Sequence, residues 1–149
     1  MPPKKRLPPL PSPLPKLYHF TSLTHLPEIL AAGAITRGDV PLTPTGGFNT
    51  PWLTSDSERV DQYWSVFAAK QVVRFTIHIP KADRKSLVKW SDFALAMHID
   101  PEWYAALDKV AGHRSDAWYL YLDKIPLRWV TDTNIASPLP NRSPPDATP

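Results

Sequence analysis

The chain has 149 residues, a formal net charge of +3, 42% hydrophobic residues and no cysteine. That apolar content supports one buried core and excludes a wholly disordered chain, while the absence of thiols excludes disulfide staples, thiolate chemistry and cysteine-bound zinc. Lys4, Lys5, Arg6 and Lys16 supply four of the positive charges and leave the rest of the chain at −1, so a dense basic face for nucleic acid is not indicated.

Proline is the compositional outlier, and of its 19 residues seven fall in 1–15 and five in 138–149. Segments so rich in proline lack backbone donors and apolar side chains, which predicts a disordered basic arm over 1–15, a disordered tail over 138–149 and a single domain over 16–137. Within the arm, Lys5-Arg6-Leu7-Pro8-Pro9-Leu10-Pro11 fits the basic PxxP pattern read by SH3-type grooves, which makes it a candidate segment for a protein partner. The plainer reading is a solubilising linker. No run of about 18 apolar residues occurs and the start lacks the apolar stretch of a signal peptide, so the expectation is a cytoplasmic protein with no membrane partner.

The body opens on a β-prone run, Leu17-Tyr18-His19-Phe20. Ser22 or Thr24 can then cap a helix carrying Leu23, Leu26, Ile29 and Leu30, with Pro27 in its first turn and Gly33 at its end. Residues 36–50, with Gly38, Pro41, Pro44, Gly46 and Gly47, read as a long loop. Trp52-Leu53-Thr54 is a second strand candidate, and Ser55 or Ser57 starts a helix with Val60, Tyr63, Trp64 and Phe67. Alternation over Val72 to Ile79 gives the clearest strand, closed by Pro80. Helical segments follow at 83–90 and 101–110, and Ala117–Leu122, Asp123-Lys124 and Ile125–Val130 read as a β-hairpin. Strands and helices in this irregular order predict the α+β class.

Most familiar catalytic constellations are absent: there is no Gly-rich phosphate loop, HExxH or GxSxG, and His19, His25, His78, His98 and His113 lack metal-ligand spacing. No metal site is therefore expected. Three local patterns stand out instead. The first is Tyr18-His19-Phe20-Thr21-Ser22 followed by Ile29-Leu30-Ala31-Ala32-Gly33. The second is Trp52-Leu53-Thr54-Ser55-Asp56 with Tyr63 a helical stretch later. The third is Asp116-Ala117-Trp118-Tyr119-Leu120 leading into Ile125-Pro126-Leu127-Arg128-Trp129-Val130.

Together these patterns resemble the ADP-ribosyltransferase superfamily, in the branch typified by diphtheria toxin and the poly-ADP-ribose polymerases, and are similar to small bacterial toxins that modify DNA. The resemblance covers about residues 17–130 and implies a split, mainly antiparallel sheet with peripheral helices and a cleft for NAD, the substrate. By the same resemblance His19 anchors the adenosine ribose, and Trp52 and Tyr63 flank the nicotinamide ring with flat polarisable faces. Thr21, Thr54 and Ser55 are the candidates to contact ribose or phosphate. Asp116 falls in the slot where the family carries a glutamate that steadies the cationic transition state, so Asp116 and His19 are the implied catalytic pair.

The implied function is NAD-dependent transfer of ADP-ribose to a macromolecular acceptor, protein or nucleic acid, as a toxin or a defence or counter-defence effector. Aspartate is one methylene shorter than the family's glutamate. That opens the alternative of a catalytically degenerate module which binds a nucleotide or a protein partner. Each residue also has a plainer reading. His19 can be a satisfied core or edge residue, and Trp52, Tyr63, Trp118, Tyr119 and Trp129 can fill the core. Ser55 can merely cap a helix, and Arg74 and His78 can face either a cleft or water.

Overall fold

A computed structural model describes residues 8–36, 39–43, 46–58 and 71–136. Ten strands and three α-helices run in the order β1 (Leu17–Thr21), α1 (Leu26–Ala32), β2 (Ala34–Ile35), β3 (Asp39–Thr43), β4 (Gly46–Asn49), β5 (Trp52–Thr54), β6 (Val73–Ile77), β7 (Leu87–Lys89), α2 (Trp90–Ala96), α3 (Pro101–Val110), β8 (Trp118–Tyr121), β9 (Ile125–Pro126) and β10 (Val130–Ile135) among these residues. Helices beside a six-stranded sheet of order β10-β6-β1-β5-β8-β7, antiparallel at every pairing, make this an α+β protein.

The ladders are unequal. β1 meets β6 along its whole length, from Leu17 opposite Ile77 to Thr21 opposite Val73, and β5 meets β8 at all three of its residues. Between β1 and β5 the only residues in register are Tyr18 and Thr54. The sheet is thus two three-stranded halves, β10-β6-β1 and β5-β8-β7, joined at one point and parting beyond it.

Two cores lie on opposite faces. Leu17, Val73, Phe75 and Ile77 of the first half and Leu53, Leu87, Tyr119 and Tyr121 of the second point to one face, where Ile35, Ile125 and Trp129 close over them. Trp52, Val88, Trp118 and Leu120 point to the other, against Trp90, Phe93 and Ala94 of α2 and Leu107 of α3. The neighbours Trp52 and Leu53, or Leu87 and Val88, enter different cores because successive strand residues face opposite ways.

Local chemistry explains where the elements stop. α1 carries Pro27 in its first turn and ends on Gly33, whose φ of 70° is left-handed and whose N–H donates to the Ile29 carbonyl. Its N-cap is His25, and Ser22 acts one turn earlier by accepting the His25 N–H on Oγ at 3.3 Å. α3 starts at Pro101 behind Asp100, whose carboxylate accepts the Glu102 N–H at 2.9 Å.

Three expectations need correction. Residues 36–50 contain the two-stranded hairpin β3–β4, with Pro41 opposite Gly47; a two-stranded ribbon has only edges, where proline is tolerated. The helix expected at 83–90 is a 3-10 turn over Lys81–Ser86, then β7 and α2: Leu87 and Val88 are drawn into pairing with β8, and Trp90, Phe93 and Ala94 form the helical face. The terminal hairpin does not form, because β8 already has β5 and β7 on its two edges; β9 pairs with β2, and β10 with β6. Of the arm, residues 1–7 lie outside the described residues, and Leu10 and Leu14 are half-buried against the first core. The helix expected around Tyr63, and the tail, lie outside the described residues.

Candidate functional site

β1, β5 and β8, which carry the three sequence patterns, are consecutive neighbours in the middle of the sheet. His19 sits where β1 and β5 have parted. The residue is 8% exposed, and its ring stacks on Phe75 at 6.5 Å and 13° and bonds through Nδ1 to the Trp52 carbonyl at 2.8 Å. A side chain therefore replaces the missing backbone ladder between the halves. Burial holds the His19 pKa below its ordinary value, and the Trp52 carbonyl only partly offsets this. The ring is then neutral at pH 7, donates from Nδ1–H and keeps the Nε2 lone pair as an acceptor. Among the described residues the ring has no hydrogen-bond partner besides Trp52. Thr21, 7% exposed and opposite Val73, shares the His19 face.

The other candidates do not converge on that face. Trp52 is 2% exposed in the second core, with ring centroids 5.3 Å from Trp90 and 5.2 Å from Trp118, so it packs rather than presents a face to a ligand. Thr54 is buried on the same side as Trp52, and its Oγ1 accepts the Asp56 N–H at 3.0 Å. Ser55 is half-buried and its N–H donates to the Ala117 carbonyl at 2.9 Å, which ties the end of β5 to the turn before β8. Tyr63 lies outside the described residues.

Asp116 sits in that turn, Ser115–Ala117, at the edge of the sheet where β5 ends and β1 begins. His19 and Thr21 extend from the Tyr18–Thr54–Trp118 row in the opposite direction. The Asp116 side chain is 94% exposed, with Lys89 Nζ at 3.9 Å. Such an exposed pair leaves the carboxylate solvated and contributes little.

The turn itself is held by residues to which the sequence assigned no role in a site. Asp108 of α3 accepts the Ser115 N–H at 3.2 Å and the Ser115 hydroxyl, and pairs with His113 Nδ1 at 3.0 Å. Burial alone would raise the Asp108 pKa, but these hydrogen bonds and the His113 charge hold it below the ordinary carboxylate value. Arg114 pairs with Asp56 and lies 3.7 Å from Glu58, which pins the turn to the end of β5. No local motif marks such a network; the one clue is a carboxylate one helical turn before a Gly-His-Arg-Ser loop.

Arg74 and His78 divide: His78 is exposed, while the Arg74 guanidinium lies 5.4 Å from the Tyr18 ring centroid and donates to the Ser57 carbonyl at 2.9 Å. Among the described residues no group of three or more His, Cys, Asp or Glu is placed to hold a metal ion, and no helix is long and apolar enough to cross a membrane. No protein-family model, curated protein or solved structure matches the chain.

Proposed function

We propose that this chain is an ADP-ribosyltransferase-like domain that binds a dinucleotide of the NAD class where its sheet divides, and that it acts as a binding module rather than a transferase. The observation that carries the reading is the parting of β1 from β5 at His19, a neutral acceptor bridging the two halves beside Thr21. An imidazole Nε2 lone pair in that position suits a ribose hydroxyl as donor. The adjacency of the three pattern-bearing strands supports the same reading.

Transfer chemistry needs a carboxylate fixed beside a developing cation in a site that excludes water. Asp116 is solvated, faces Lys89 and lies toward the other edge of the sheet, and Trp52 is committed to the core. Incubation of the protein with NAD, with release of nicotinamide followed by chromatography, tests this. The expected outcome is a rise in melting temperature with NAD and no nicotinamide above the buffer rate. Nicotinamide release that Asp116→Asn abolishes would instead establish NAD cleavage at Asp116, with ADP-ribose passing either to water or to a macromolecular acceptor, which product analysis tells apart.

A further inference from the structure

We propose that residues 8–16 form a strap over the face of the sheet that carries His19, and that lifting it opens the ligand site. The inference rests on the dinucleotide reading only for the identity of the ligand. Leu10 and Leu14 are half-buried against the core that contains Leu17 and Phe75, while their neighbours Pro9, Pro11, Pro13 and Pro15 are exposed. The His19 ring stacks on Phe75 and stands on this same face, opposite to Trp52. His19 is 8% exposed, and its one hydrogen bond among the described residues is to the Trp52 carbonyl of the neighbouring strand.

The segment suits the task. Prolines stiffen it and remove backbone donors, so it can lie on a sheet face without pairing to a strand. Only two residues separate Leu14 from the start of β1, so the tether keeps both leucines at high effective concentration over their own strand. Two half-buried leucines are a light hold, which can release while the ladders beneath stay formed. Leu10 also lies in the segment that fits a PxxP reader, so capture by such a groove and docking on the sheet compete for the same side chain.

The test is diethyl pyrocarbonate labelling of the full chain at pH 7, read by peptide mass spectrometry, for wild type, Leu10→Ser and Leu10→Ser/Leu14→Ser. Exposed His78 serves as the internal standard, and amide exchange of β6 reports the fold. The strap predicts at least several-fold faster labelling of His19 in the double variant, an intermediate rate in the single one, constant His78 and protected β6 amides. Unchanged His19 labelling overturns the strap, and so does loss of β6 protection in both variants, which would make the leucines ordinary core. Calorimetry with NAD separates the two ideas. Faster labelling with tighter NAD binding supports both, whereas faster labelling with no NAD binding in any variant keeps the strap and overturns the dinucleotide.

Discussion

His19 performs two jobs that substitution can pull apart. Its Nδ1–H satisfies the Trp52 carbonyl between diverging strands, and its Nε2 is left for a ligand. Asparagine can place an amide N–H near Nδ1 but puts nothing at Nε2. His19→Ala should therefore cost about 1–3 kcal/mol by stranding a buried carbonyl, and His19→Asn should recover much of that loss in chemical denaturation without recovering affinity for NAD. The ring also links stability to pH. The unfolded chain takes up a proton near the ordinary histidine value, about 6.5, whereas the buried ring does so only at lower pH. Stability is thus full above that value and falls as the pH drops from about 6.5 toward the folded value. Melting curves from pH 7.5 to 5 should show a steeper decline for wild type than for His19→Asn, and parallel declines would place the proton uptake elsewhere. Trp52 makes a contrasting case: Trp52→Ala should cost about 3–5 kcal/mol, as for other large core aromatics, whatever ligand is present. A small cost with a large loss of NAD affinity would return Trp52 to the ligand.

Elements were legible where local pattern decides them. Strict alternation marks β6, Pro27 and Gly33 bracket α1, Pro101 opens α3, and the β-prone segment Trp52-Leu53-Thr54 gives β5. What pattern cannot decide is competition for strand edges. Trp118–Tyr121 followed by a tight turn looks like the first arm of a hairpin, but β5 and β7 fill both its edges, so the chain after Lys124 must pair elsewhere. Leu87-Val88 does not read as a strand in the sequence for the related reason that two apolar residues become one only when a partner such as β8 is at hand. The same limit applies to the candidate site. Each motif strand was found, yet whether His19 and Trp52 share a face depends on the register of β1 against β5, which no single strand encodes. Asp116 illustrates the consequence at the level of its turn. With its carboxylate solvated, Asp116→Asn should change the unfolding free energy by less than about 0.5 kcal/mol, whereas Asp108→Asn should cost more than about 1 kcal/mol by weakening the bonds to Ser115 and His113.

At the scale of the whole molecule, the body is two half-sheets with a core on each face, and the proline-rich segment belongs partly to it. Removing residues 1–15 takes away Leu10 and Leu14, and half-burial of each is worth roughly 1 kcal/mol. At ~4 °C per kcal/mol for a domain of this size, the truncated chain should melt several degrees below the full one. An unchanged midpoint would show that the leucines contribute nothing to the fold. The central claim, that a dinucleotide binds where the halves part, is tested most directly by titration calorimetry of the full chain with NAD, with His19→Asn alongside. The account predicts saturable one-to-one binding to wild type and at least a tenfold weaker association for His19→Asn, whose fold persists. Absence of binding to wild type, or equal affinity in both proteins, would contradict it.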